Sequence, residues 1–350
     1  MIKVMIVDDS AFMRKLFKDS IEKDIKLNVI ETARNGKDAL KKIKDNKPDV
    51  ITLDIEMPIK DGLTTLKEIN KNYPEIPVIM VSALDNRDTV MKALEIGAFD
   101  FIPKPSGSIS LNIDDIIDEL QEKIKVSINA ENNQKNSSIA DFKLKKSIKN
   151  KIENTSFTDT NFPIIAIGSS SGGPKALKDV LTAFPKDFPG AIAIVQHMPA
   201  GFTTSLAKRL NQQSNLHVKE AKHGDKLKPG HVLIAPGDYH LSFNSEGEAE
   251  LDQRPKNWGV RPCADYMLKS LANNYQKRII GVILTGMGHD GGEGMTDIKK
   301  HGGYGIVEAK STALVYGMPG TTIKAGAYDK ILPRYEIPAH IIKLIDKEMN

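Results

Sequence analysis

The chain has 350 residues, 40% of them hydrophobic and 27% charged, enough for two domains with their own cores. Lys and Arg number 49 against 45 Asp and Glu, a net charge of +4, which does not call for a nucleic acid or an anionic membrane as partner. The single cysteine, Cys263, excludes an intrachain disulfide and suits a reducing cytosol, and no apolar run approaches the ~18 residues of a membrane helix.

The N-terminal MIKVMIVDDS is a short strand running into acids, too short and too acidic for a signal peptide. Residues 3–125 then alternate strand and helix. The expected strands are KVMIVDD (3–9), LNVIETA (27–33), DVITLDI (49–55), IPVIMVSA (76–83) and DFIPKP (100–105). Helical spacing of Met13, Leu16, Phe17 and Ile21 fills the first gap, and a last helix is expected from near Leu111 through DIIDELQEKIK. Five such units predict a flavodoxin-like (βα)5 fold, a doubly wound parallel sheet. Residues 126–160 are rich in Asn, Lys and Ser and lack Gly and Pro, and read as a linker.

From Pro163 a second doubly wound α/β unit begins, with a mainly parallel sheet expected. PIIAIG (163–168) leads into a Ser/Gly turn, and AIAIVQH (191–197) leads into a helix holding Phe202, Leu206 and Leu210. Short strands and turns follow, then a helix from about Asp265, and the buried strands GVILTG (281–286) and YGIVEA (304–309).

Side chains beyond the carboxyl ends of parallel strands converge on one crevice. In the first unit, Asp8, Asp9 and Asp54 fall there. Like charges this close repel, and a hard divalent cation with oxygen ligands relieves them, Mg²⁺ fitting a sparse acidic site. One carboxylate can then attack a phosphoryl donor. Ser82 and Lys104, at the next two strand ends, offer a hydroxyl and a cation to phosphoryl oxygens, and a cis bond to Pro105 would help aim the lysine. VDDS, LDIEMPIKDG, VSA and FIPKP, in this order, resemble the response-regulator receiver domain over residues 1–125. That resemblance implies Asp54 as phosphoacceptor, Asp8 and Asp9 as the acidic pair, and Mg²⁺ held by Asp9, Asp54 and the carbonyl of Glu56. It also places Ser82 and Phe101 at the switch positions and Lys104 at the phosphate-contacting lysine.

In the second unit Ser170, His197 and Asp290 follow their own apolar strands. Hydrolysis by serine needs a nucleophile, a base and a group that orients the base, and these residue types supply them. GSSSGGP alone also suits a phosphate-binding turn, although the chain has no G-x-G-x-x-G and no P-loop lysine here. Ser169 and Ser171 compete with Ser170 as the reactive serine. His223, His231, Asp238 and His240 lack tight metal-ligand spacing. Cys263 reads as a packing residue, and Arg254, Trp258 and Arg261 lie in a polar loop that could face the site.

Taken together, IGSSSGGPKAL, VQHMPAGFTTSLAKRL, PGHVLIAPGDYHL, RPCADYML, GVILTGMGHDGGEGM and YGMPG resemble the catalytic domain of the chemotaxis protein-glutamate methylesterase family, CheB, placing that domain at 161–347. The resemblance implies Ser170 as nucleophile by the Ser-x-Gly-Gly pattern, His197 as base and Asp290 as orienting acid. It implies a cytoplasmic enzyme acting on γ-glutamyl methyl esters of chemoreceptors, often deamidating receptor glutamines too, without a cofactor for the esterase. A chemotaxis histidine kinase would supply the phosphoryl group, and neither nucleic-acid binding nor membrane insertion is expected. The receiver is expected to cover the hydrolase crevice until Asp54 is phosphorylated. The alternative reading is a phospho-regulated binding module with an inert hydrolase-like domain; a DNA-binding output fits less well, because the C-terminal half is large, strand-rich and charge-balanced.

Overall fold

The computed structural model describes residues 1–83, 85–105, 113–134 and 162–348. They form two compact units that divide near Asn132.

The first unit alternates β1 (Ile2–Val7), α1 (Ala11–Ile21), β2 (Leu27–Ala33), α2 (Gly36–Asp45), β3 (Val50–Asp54), α3 (Gly62–Asn72), β4 (Val78–Ser82), α4 (Arg87–Ile96), β5 (Asp100–Pro103) and α5 (Ile113–Gln134). The sheet order is β2-β1-β3-β4-β5 and every pair is parallel. Helices cover both faces, so β3 and β4 are buried along their whole length and read as unbroken apolar runs rather than alternating ones. Each fully buried Ile or Leu of such a strand contributes roughly 2 kcal/mol of burial. Side-chain oxygens of Ser10, Asn35 and Asp61 cap the first turns of α1, α2 and α3. The chain leaves β1 in one direction toward β2 and returns on its other side to β3. The switch point therefore lies between the carboxyl ends of β1 and β3, where Asp8 and Asp54 sit.

Helix α5 continues to Gln134, past the linker start expected at residue 126. The stretch from 126 to 134 has no Gly or Pro to interrupt the ladder, and Ser127 is still buried with its hydroxyl on the Ile124 carbonyl, so the helix continues past 126. The remainder of the expected linker, 135–160, lies outside the described residues, as does residue 161.

The second unit runs β6 (Ile164–Ser169), α6 (Gly173–Leu181), β7 (Ala191–Gln196), α7 (Phe202–Gln213), β8 (His217–Glu220), β9 (His231–Ile234), β10 (His240–Phe243), β11 (Ala249–Asp252), α8 (Ala264–Tyr275), β12 (Ile279–Ile283), α9 (Gly292–Lys300), β13 (Tyr304–Glu308), α10 (Gly317–Lys324), β14 (Lys330–Leu332) and α11 (Ile337–Glu348). The main sheet is β14-β13-β12-β6-β7-β9-β8, parallel throughout, and β10-β11 is a separate antiparallel hairpin. A core of Ile164, Ala166, Ala193, Leu268, Ile283 and Met295 joins the sheet to α8 and α9. Strand β6 lies between β7 and β12, so the residues after these three strands meet at one end of the sheet.

Candidate active sites

In the first unit, carboxylate oxygens of Asp8, Asp9 and Asp54 all lie within 4.8 Å of one another. Asp8 and Asp54 are only 1% and 3% exposed, while Asp9 is open to solvent. The Lys104 ammonium stands 2.9 Å from Asp8 Oδ2 and 2.8 Å from Asp54 Oδ2. Burial pushes the Asp54 carboxyl up to about 6, and Lys104 works against that rise without cancelling it. For Lys104, burial works to lower the pKa, but Asp54 and Asp8 outweigh it and hold the ammonium charged. Ser10 N–H donates to Asp8 Oδ1 at 2.8 Å, and Arg14 Nη1 clamps the carbonyls of Asp8 and Asp9 at 2.8 and 3.0 Å. The Glu56 N–H donates to Asp54. Three hard oxygen donors on one small patch suit a small divalent cation better than a soft metal. A cavity of about 520 Å³, lined by Asp9, Glu56, Met57 and Asp61 among others, opens beside the acids.

Ser82 is fully buried, and its hydroxyl donates to the Ala83 carbonyl at 3.0 Å. Phe101 is buried, with the Lys123 ammonium 5.6 Å from its ring centroid and 2.8 Å from its carbonyl oxygen. The cis peptide bond among the described residues is Arg261–Pro262, so the cis Lys104–Pro105 bond expected from the sequence is not found. The lysine is instead held at its root, where its N–H donates to the Ser82 carbonyl at 2.7 Å, and at its tip by the two carboxylates.

In the second unit, His197 directly follows β7, and its Nε2 lies 2.7 Å from Asp290 Oδ2. Asp290 is not at the strand end itself; it closes the glycine-rich loop between β12 and α9. Every lone-pair direction of this buried carboxylate is taken. Oδ1 accepts from Cys263 Sγ at 3.0 Å and Asp265 N–H at 2.9 Å, and Oδ2 also accepts from Ala264 N–H at 2.5 Å. Burial works to raise the Asp290 carboxyl, but the bonds from His197, Cys263 and Ala264 outweigh it and hold the group down at about 2. Burial and the charge of Asp290 push the Cys263 thiol up, so it stays an S–H donor. Cys263 is therefore more than packing: it touches the carboxylate that orients the histidine. Cys263, Asp265 and Asp290 are spaced closely enough for a cation, yet their acceptors are already filled by thiol, backbone and indole donors.

The three adjacent serines differ sharply. Ser169 is fully buried, with its hydroxyl donating to Gln196 Oε1 at 2.8 Å, and Ser171 is buried. Ser170 is half-buried at the end of β6, and its hydroxyl makes no hydrogen bond among the described residues. Register places Ser169 beside Gln196, so Ser170 and His197 leave neighbouring strands side by side. Gln196 Nε2 donates to the carbonyls of both Ser170 (2.9 Å) and His197 (3.2 Å). On the other side Ser170 N–H donates to the Thr285 carbonyl at 3.0 Å, and Thr285 N–H donates to the buried Glu308 at 2.7 Å. Gly172, at φ +77°, turns the chain into α6, and a Cβ on Gly173 would lie 1.9 Å from Gln196 Oε1. Glycine is required there by the close approach of that amide.

Sequence reasoning passed over Gln196, Thr285, Glu308 and Asp265. A signal existed for the first and third: a glutamine ending AIAIVQ and an acid ending YGIVE are polar groups inside otherwise apolar runs, and such groups are buried only with partners. His223, His231, Asp238 and His240 do not converge. His231 Nδ1 bonds the Pro229 carbonyl, His240 Nε2 the Pro255 carbonyl, and Asp238 pairs with Arg261. Arg254 pairs with Asp252 and stacks on Tyr266, while Trp258 bonds Asp265.

The family model for CheB methylesterase matches residues 165–341, and that for the response regulator receiver domain matches residues 4–113. The chain belongs to the CheB methylesterase family. It is 44% identical, over 98% of its length and 99% of the relative's, to a protein-glutamate methylesterase/protein-glutamine glutaminase 1 of Syntrophomonas wolfei. It is 43% identical to the protein of that activity from Thermotoga maritima, over 98% of each chain. The crystal structure of the Thermotoga maritima CheB methylesterase catalytic domain superposes with a TM-score of 0.51 at 47% identity, covering 53% of this chain and 99% of that one. Family membership thus spans both units, and the serine, histidine and aspartate described above all fall inside the methylesterase match. Among the described residues no helix is long and apolar enough to cross a membrane.

Proposed function

We propose that the protein is a cytoplasmic chemotaxis adaptation enzyme that hydrolyses glutamate γ-methyl esters on chemoreceptors, deamidates receptor glutamines, and is activated when a histidine kinase phosphorylates Asp54. The observation that carries the esterase reading is the contrast between Asp290, with every acceptor filled, and Ser170, the one accessible serine of three with an unengaged hydroxyl. Because Nε2 of His197 faces Asp290, Nδ1 is the nitrogen left to take the serine proton. Ser170 Oγ attacks the ester carbonyl as that proton moves to Nδ1, and the N-terminus of α6 faces the oxyanion that forms. The imidazolium returns the proton to the departing methoxide, which leaves as methanol. Water repeats the sequence on the acyl-enzyme and frees glutamate; from glutamine the leaving group is ammonia.

In the receiver, Asp8, Asp9, Asp54 and the Glu56 carbonyl would hold Mg²⁺, which neutralises charge developing on the transferred phosphoryl group. Asp54 is the acceptor carboxylate, Lys104 the cation released to meet a phosphoryl oxygen, and Ser82 and Phe101 the groups that read the change. Methanol release from methylated receptor membranes tests the whole reading. It is expected to rise with a small phosphodonor and Mg²⁺, and Asp54→Asn is expected to lose only the rise. No methanol under either condition would end the esterase reading. The rival reading, a binding module with an inert hydrolase-like domain, gains support from no observation at the site.

A further inference from the structure

Trp258 is the only tryptophan of the chain, and it is 49% exposed. It is nevertheless firmly held. Its Nε1–H donates at 2.9 Å to Oδ2 of Asp265, a fully buried residue, and its ring meets the His289 ring edge-on with centroids 5.7 Å apart. Its backbone stands at φ 54°, the left-handed region that a bulky residue rarely adopts. The loop beneath it is pinned as well. Arg261 ties Asp238 to the carbonyls of Gln253 and Arg254, and Asn257 bridges to Val260.

Both contacts of the indole lead to the catalytic centre. Asp265 donates its N–H to Asp290 Oδ1, and His289 is the residue before Asp290. A half-exposed ring gains little from burial, so packing does not account for a strained backbone that keeps it in the open. A rigid aromatic ring with its polar tip anchored and about half of its residue surface exposed is the form that recognition anchors take.

We propose that Trp258 and His289 form an aromatic lip on which the ester-bearing segment of the receptor lies, making Trp258 a determinant of protein-substrate selection. The inference rests on the esterase reading above. An uncharged methyl ester suits the indole face, whereas the product carboxylate meets the negative face of the ring quadrupole, which favours its departure.

The test uses the full-length chain and a tryptophan-free soluble receptor fragment carrying glutamate γ-methyl esters. In a Ser170→Ala background, binding of the fragment is expected to shift the Trp258 emission to the blue and to reduce its quenching by acrylamide. In the otherwise unaltered enzyme, Trp258→Ala is expected to raise KM for the fragment by about tenfold, with a far smaller change in kcat. Trp258→Phe keeps the ring but loses the bond to Asp265, and should retain most of the affinity. An unmoved emission while the parent enzyme hydrolyses the fragment would overturn the lip, as would a fall in kcat at constant KM in Trp258→Ala. If Trp258→Ala fails to fold, the emission arm still decides. A parent enzyme that releases no methanol from the fragment would overturn the esterase reading, and the lip with it.

Discussion

The two carboxylates at the heart of this chain are treated in opposite ways. Asp54 is buried between other acids with one lysine and one backbone N–H for company, and its carboxyl rises to about 6. Asp290 is buried among four donors, and its carboxyl falls to about 2. Burial alone pushes both upward, so the hydrogen-bond supply decides the sign. Asp54, proposed to attack a phosphoryl donor beside a cation, is left short of partners. A group meant to hold another in place is saturated with them.

The largest expected effect tests the saturated side. Ser170→Ala should lose on the order of 10⁴–10⁶ in methanol release if the three residues act as a unit. Ser169→Ala, which removes buried bonds to Gln196 and to the Val195 carbonyl, should lose far less. Comparable rates for Ser170→Ala and the parent would remove the serine from the chemistry.

The next effect tests the undersupplied side. Lys104→Met leaves Asp8 and Asp54 facing each other without a cation. It should destabilise the receiver by roughly 2–4 kcal/mol, somewhat below the full cost of breaking a buried pair because the lysine is partly exposed. Mg²⁺ should recover much of that loss in urea denaturation, since a ligand that binds only the folded form stabilises it. A loss that Mg²⁺ leaves untouched would mean the acids are not poised for a cation.

The smallest effect sharpens the contrast at its boundary. Burial first, then the charge of Asp290, raises the Asp265 carboxyl from its ordinary 3.8 to about 6. A raised pKa means that the folded chain holds this proton more tightly than the unfolded one does. The stability this brings is fully present below about pH 4 and is lost as pH rises through about 6. Asp265→Asn cannot ionise, so its denaturation midpoint should fall less than the parent's between about pH 4 and 7. Parallel pH profiles for the two chains would show that the fold does not raise the Asp265 carboxyl.

Much of this was legible before any coordinates. Apolar runs such as ITLD and IIAIG are strands buried on both faces, and the polar residues just beyond them fall into crevices by the geometry of parallel sheets. The acids Asp8 and Asp54 could be placed in this way because each is tied to a strand end. The surroundings of Asp290 could not. Its donors come from Cys263, Ala264 and Asp265 at the start of α8 and from His197 after β7, and no local pattern marks residues so far apart as partners. A lone cysteine carries no pattern, so the sequence of Cys263 suggests packing alone. Helix α5 runs past its expected end because no Gly or Pro stops it there and Ser127 still packs inward.

Gln196 grips the main chain of Ser170 and of His197 with a single amide, while its oxygen takes the hydroxyl of Ser169. The alignment of the proposed attacking group and proton acceptor is thus a property of two adjoining strand ends in the interior, not of the loops around them. Heating should leave that alignment intact until the sheet itself comes apart, so loss of turnover and loss of the fold should arrive together.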